Sequence, residues 1–406
     1  MSSNDSLPKD PAALLAANPT RSDVQQASYQ AADKKTPDQK PLSLNDFAPE
    51  NLSKTTKRLT GYGPNREAAK ALYQEAEDLF RKASEQQGEE RTASFLAAAG
   101  KFNEAAERLP DSALQQDALY MAGDSFFFAD AYSQANDAYE KLVKAYPNNR
   151  YLDVVDQRRF TIAKYWIQRY DASPESWWAV NVSDRARPWR DTRGHALRVF
   201  DKIRLDDPTG RLADDATLAA GNERFAKGEF IKADDFYADL RKNYPTSEHQ
   251  FTAHFLGLKA KLLTYRGADY SGKSLDESEK LIKQMRRQFP RDSAAEREFL
   301  DRSWAEVRYK KAERDWNRAA YHDARAEYRA AALHYGVVAH DYSDTPFGAR
   351  AEARLKEVER FAPVPAQQLP WLVGLFPEAD KLKPLIDKAA KPAEATATKP
   401  TETQLR

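Results

Sequence analysis

The chain contains no cysteine and only 15 glycines in 406 residues. Without cysteine there is no disulfide, no thiolate metal site and no cysteine nucleophile. That absence leaves the compartment open, since a periplasmic chain can also do without cysteine. So few glycines disfavour a sheet protein, which needs many turn glycines, and favour helix. No run of eighteen apolar residues occurs, so nothing in the sequence spans a bilayer as a helix. Lys+Arg 63 against Asp+Glu 62 cancel almost completely, which removes any global field for nucleic acid or an anionic surface and leaves only local patches. The first twenty residues hold one apolar stretch, 12–17, too short and too late for a signal peptide. The expectation is a cytoplasmic chain, or a targeting segment outside the sequence given.

Catalytic signatures are equally scarce. His195, His249, His254, His322, His334 and His340 include no pair at helical spacing and no H-E-x-x-H. No G-x-S-x-G elbow, P-loop or G-x-G-x-x-G is present, so hydrolase, nucleotidase and dinucleotide-binding readings lack their anchors. Asp206-Asp207, Asp214-Asp215 and Asp234-Asp235 are sequence neighbours. On a helix such neighbours point about 100° apart, so they read as solvated faces and not as paired acids. No enzyme activity, metal or cofactor is expected.

What is present is a repeated helical unit. Residues 119–151, LYMAGDSFFFADAYSQANDAYEKLVKAYPNNRY, read as two amphipathic helices joined by a short turn. Gly123 and Ala135 are small where the two must cross. Tyr139 and Leu142 follow on one face, and Tyr146-Pro147 stops the second helix, because proline lacks an N–H and clashes with the preceding turn. A small–small crossing, an aromatic plug and a closing proline are the tetratricopeptide pattern.

The ending recurs along the chain. Ala98, Phe102 and Ala105 precede Pro110, and Ala196, Phe200 and Ile203 precede Pro208. Ala233, Tyr237 and Leu240 precede Pro245, and Ser278, Ile282 and Met285 precede Pro290. Ala331, Tyr335 and Val338 precede Ser343, which stands in the proline's place. The fold class expected is therefore all-α: a tetratricopeptide-type α-solenoid of about six helix pairs with a capping helix over 347–361. Pro110 to Pro147 and Pro208 to Pro245 are both 37 residues, but Pro147 to Pro208 is 61. The surplus places an insertion, 173–194 (SPESWWAVNVSDRARPWRDTRG), between the third pair's helices.

Three segments follow. Residues 1–64 form a Pro-, Ser-, Asp-, Lys- and Gln-rich N-terminal arm, expected to be disordered, with a short apolar run at Leu42, Leu44, Phe47 and Leu52. Residues 65–362 form the solenoid. Residues 363–406 form a proline-rich tail whose one apolar island, LPWLVGLFP (369–377), reads either as a strap over the last pair or as a docking motif.

With no active centre in view, function falls to surface binding. In stacked pairs the first helices line the concave side. Taking Gly123, Gly221 and Gly257 as the inward-packing points, the groove would hold Tyr120, Asp124 and Phe127, then Leu218, Asn222 and Phe225, then His254, Leu258 and Lys261. That lining suits an extended or partly apolar peptide, unless the aromatics simply pack between repeats. The insertion offers a second surface of Trp177, Trp178, Arg187, Trp189 and Arg190. It reads as an RNA or partner platform, or as a loop pinned to the array with arginines stacked on indoles. Asp184 and Asp191 dilute its charge, favour the pinned loop and weigh against nucleic acid as a partner.

The motifs KAYPNNRYLD (144–153), KNYPTSEHQFTAH (242–254), RQFPRDSAAE (287–296) and HDYSDTPFGARAEARL (340–355) resemble those of the BamD-type outer-membrane-assembly lipoproteins. So does ADYSGKSLDESEKLIKQMRRQFP (268–290), with its Tyr-x-Gly-x-x-Leu-x-Glu-x-Glu run. The likeness covers 66–360 and extends to longer planctomycete-type envelope proteins with a Trp/Arg insertion and proline-rich tail. It implies a periplasmic lipoprotein scaffold of the β-barrel assembly machinery at the outer membrane. On that basis the Tyr120, Asp124 and Phe127 groove would meet unfolded outer-membrane-protein segments, and the 293–360 helices would hold the central barrel subunit. Membrane contact would come only through a lipid anchor, and the sequence has no lipobox cysteine. A general tetratricopeptide adaptor of another complex stands as the alternative, with an RNA-binding helical repeat behind it.

Overall fold

The computed structural model describes residues 64–176, 178, 180–362 and 371. The two arms therefore lie outside the described residues, apart from Pro64 and Trp371, as does Trp177 of the insertion. Among the described residues every regular element is a helix. In chain order these are α1 (Arg66–Glu85), α2 (Gly88–Arg108), α3 (Ala113–Phe128), α4 (Tyr132–Ala145), α5 (Leu152–Ala172), α6 (Thr192–Asp206) and α7 (Ala213–Ala226). They continue as α8 (Phe230–Asn243), α9 (Gln250–Thr264), α10 (Lys273–Gln288), α11 (Pro290–Ala295), α12 (Arg297–Ala324), α13 (Tyr328–Asp341) and α14 (Pro346–Val358).

Local chemistry sets the ends. Asn65 caps α1 by accepting from the Ala68 N–H at 2.9 Å, and Ser112 caps α3 by accepting from Gln115 at 3.1 Å. Asp191 caps α6 from a left-handed backbone (φ 51°), its carboxylate accepting from the Gly194 N–H at 3.0 Å. Helices α2, α4, α6 and α8 stop one or two residues before Pro110, Pro147, Pro208 and Pro245, as the missing N–H requires. Pro290 behaves differently. It opens the short helix α11 at the position where its absent N–H costs nothing, so the chain turns there into a new helix. Pro346 does the same for α14.

The helices pair as α1/α2, α3/α4, α5/α6, α7/α8, α9/α10 and α12/α13, with α14 following the last. All eighteen residues of the repeated second-helix pattern, Ala98-Phe102-Ala105 through Ala331-Tyr335-Val338, are buried. Each large member contributes about 1.5–3 kcal/mol by leaving water. The small partners are obligatory. A methyl added at Gly123 would lie 2.3 Å from the Tyr139 ring, and one at Gly221 would lie 2.8 Å from the Tyr237 ring. This all-α, tetratricopeptide-type helix-pair repeat is the fold of the chain.

The chain divides into two compact units: one runs to Arg266 and includes Lys273–Trp304, the other comprises Gly267–Gly272 and the chain from Ala305. In the first, a continuous core links Phe80, Phe95, Phe102, Tyr139, Trp166 and Phe200. Two smaller clusters, around Tyr237 and around Ile282, extend it. In the second, Tyr335, Val338, Tyr342, Phe347, Ala351 and Val358 form a separate core, with the Trp316 and Tyr335 rings edge to face at 5.1 Å.

Candidate functional site

The plug tyrosines are more than filler. The Tyr139 hydroxyl donates to Asp124 Oδ1 at 2.5 Å, and that same oxygen lies 3.4 Å from Arg158 Nε of the following helix. Arg158 is fully buried with its guanidinium over the Phe127 and Phe128 rings, 4.6 and 5.2 Å from their centroids. One tie thus joins α3, α4 and α5. In the last pair the Tyr335 hydroxyl donates to Asp323 at 3.1 Å, while Arg354 of α14 reaches both Asp323 oxygens at 2.7 and 2.9 Å. The arginine sits nineteen residues after the tyrosine in both cases. In the fourth pair that position is Leu256, which packs on the Tyr237 cluster, and the acceptor is neutral: Tyr237 donates to Asn222 Oδ1 at 3.0 Å. A charged acceptor calls for a cation beside it and a neutral one does not.

Arg159, beside Arg158, is also fully buried. Its guanidinium meets Asp206 at 3.3 Å, Asp156 at 3.5 Å and Glu140 at 3.9 Å. Lys202 closes the cluster through Glu140 at 2.5 Å. Burial dominates at Asp156 and pushes its carboxyl up to about 7 despite the Arg159 charge, with Asp206, Asp207 and Asp153 adding to the rise. Glu140 is held below its usual value, where the Lys202 hydrogen bond and the nearby cations outweigh the cost of burial. Sequence reasoning missed these arginines. The signal was there: Val155, Ile162 and Trp166 mark the buried stripe of α5, and Arg159 falls on it four residues after Val155 and three before Ile162.

The nine residues assigned to a groove fall into two groups. Tyr120 is buried, its ring stacked on Tyr151 at 4.0 Å; Asp124 is buried in the tie just described; Phe127 lies half-buried under Arg158. His254 and Leu258 are buried too, His254 through its Nδ1 on the Gln250 carbonyl (2.7 Å) and Leu258 among Leu281, Ile282 and Met285. Lys261 is buried between Asp234 and Glu277, each 2.5 Å from its ammonium. These six make contacts between successive helices. The three on α7 differ: Leu218 and Phe225 are half-buried and Asn222 is exposed.

The insertion is built around Asn181. Its amide donates to the carbonyls of Asp184 (2.6 Å), Arg187 (3.0 Å) and Pro188 (3.3 Å), while its own carbonyl accepts from the Asp184 N–H at 2.9 Å. Trp166 of α5 donates to the Ala186 carbonyl at 2.7 Å, and Glu175 takes both the N–H and the hydroxyl of Thr192. Arg187 pairs with Asp184 at 2.8 Å and Arg193 with Glu223 of α7 at 2.9 Å. Pinned at this many points, the loop still leaves Trp178 and Trp189 exposed at 65% and 63%. Arg190 lies over the Trp189 ring at 5.6 Å.

A shallow cleft of about 460 Å³ lies between the α6–α7 and α8–α9 turns, lined by polar residues that include Asp214, Asp215 and Glu248. Among the described residues no group of three or more His, Asp or Glu side chains is arranged to hold a metal ion, and no helix is long and apolar enough to cross a membrane.

No family model matches the chain, and no curated protein matches it. Among solved structures it is similar to a tetratricopeptide repeat protein from Parabacteroides merdae ATCC 43184, at 12% identity over 72% of this chain and 98% of that one, with a TM-score of 0.28.

Proposed function

We propose that this chain is a non-enzymatic adaptor that holds an extended, partly apolar polypeptide along the exposed face of α7. The observation that carries this reading is Asn222. It is exposed, its carbonyl is fixed by the Tyr237 hydroxyl, and its amide N–H groups have no hydrogen-bond partner among the described residues. A fixed, outward amide suits the main-chain carbonyls of an extended peptide. Leu218 and Phe225, four residues before it and three after, stand on the same helical face to take apolar side chains. The resemblance to BamD-type lipoproteins supplies the finer proposal. The ligand would be an outer-membrane-protein segment at the periplasmic face, and the helices of 293–360 would hold the partner subunit.

Fluorescence anisotropy of a labelled C-terminal strand peptide from an outer-membrane barrel, titrated with the full chain, tests this. Leu218→Ala and Asn222→Ala are each expected to weaken binding roughly fivefold or more. Equal affinity for a scrambled peptide, with the same sensitivity to both variants, would replace the barrel client with a general adaptor. Binding that ignores both variants would remove α7 as the site.

A further inference from the structure

The 173–194 loop presents apolar side chains that the adaptor reading does not use. Val182 is exposed at 88% and Val180 at 42%, beside Trp178 and Trp189. The Asn181 N–H donates to the Trp189 carbonyl at 2.8 Å, so the two valines flank a residue paired directly with Trp189. Exposing this much apolar surface on a braced loop is costly, and soluble chains avoid it where nothing covers it.

Charge on the loop is just as uneven. All three carboxylates are engaged: Glu175 with Arg187 and Thr192, Asp184 with Arg187, and Asp191 with the Gly194 N–H and Arg198. Arg185 and Arg190 are exposed and face no carboxylate among the described residues. The loop therefore offers two uncompensated guanidinium groups beside two indoles and two valines.

We propose that this loop seats the protein on an anionic lipid surface, a contact separate from any lipid anchor and independent of the adaptor reading. Three features favour a bilayer over a protein as the occupant. Indole rings beside aliphatic side chains match the headgroup boundary, where tryptophan concentrates. Unpaired arginines can each grip a lipid phosphate through paired N–H donors. Third, the hub of the loop pairs its main chain internally: Asn181 takes three carbonyls, Asp184 takes the Ala186 N–H at 3.0 Å, and Asn181 pairs with Trp189. A hub that pairs its own polar groups can lie at the headgroup boundary without needing bonds from a partner's main chain.

The test uses the full chain with vesicles of phosphatidylcholine alone or mixed equally with phosphatidylglycerol, read by co-sedimentation and by tryptophan quenching with brominated lipid. Binding is expected on the anionic vesicles only, with quenching. The pair Arg185→Gln and Arg190→Gln should weaken it roughly thirtyfold, at about a fivefold loss for each charge near the surface. Trp178→Ala with Trp189→Ala should abolish the quenching while the circular dichroism and the melting temperature stay unchanged. No binding to anionic vesicles, or binding and quenching indifferent to both double variants, overturns the proposal. So does a crosslink from this loop to a protein in an envelope extract when the same loop gains no protection from vesicles.

Discussion

Asp156 shows how far a single side chain can depart from what its type suggests. It is buried on α5, 3.5 Å from Arg159, with Asp206, Asp207 and Asp153 nearby, and its folded-state carboxyl titrates at about 7 against about 3.9 in an open chain. Because the folded value is the higher one, the folded state binds the extra proton between these limits. Stability therefore falls as pH rises from about 4 towards 7, by up to about 1.4 kcal/mol per pH unit, and flattens above. Asp156→Asn should remove that slope and raise stability at neutral pH. Urea denaturation of both proteins across pH 4–8 checks it, and parallel profiles would mean that Asp156 ionises normally inside the fold. Nothing in the sequence announces this carboxylate. Its environment is assembled by α6 and by Arg159, which sequence reading did not single out.

At the scale of elements, legibility followed periodicity. The six second-helix patterns could be read because three positions recur at steps of four and three, and all of them are buried in the tertiary structure. Proline was read as a stop everywhere, and that was incomplete at Pro290: the same lack of an N–H that ends one helix starts the next. The groove residues show a different shortfall. Spacing gives the face on which Tyr120, Asp124 and His254 stand, but not whether the next helix will cover that face, and here it does. The insertion has no period at all, so its hub was invisible. Asn181→Ala would take a donor from three carbonyls at once, leaving the Asp184 carbonyl only the Arg187 N–H. We expect the loop to become the first site cut in limited trypsin digestion, at Arg185 or Arg190, with the helical circular dichroism intact. Unchanged resistance would mean that Trp166 and Glu175 alone hold the loop.

For the molecule as a whole, the helix-pair repeat makes stability a neighbour-to-neighbour matter. Gly123→Leu would drive a side chain into the Tyr139 ring, at a cost of about 1–3 kcal/mol by overpacking. Hydrogen exchange should accelerate in α3, α4 and the adjoining α2 and α5, and hardly at all in α13 and α14. A uniform acceleration would show one cooperative body where a repeat is expected. The near-zero net charge fits the same picture, with charges spent on local pairings such as Arg193–Glu223 and Lys261–Glu277.

The recurring tyrosine–aspartate–arginine tie has a consequence for how such a chain can grow or shrink. In each of its two occurrences the cation comes from the helix that begins the next segment, so a pair is electrically complete only when something succeeds it. Among the described residues the last helix, α14, plays that successor, bringing Arg354 to Asp323. A gene trimmed by one tidy unit at this end would leave a half-interred carboxylate without its counter-ion. The series could lengthen on either side of α14, provided that whatever follows the pair still carries an arginine to that carboxylate.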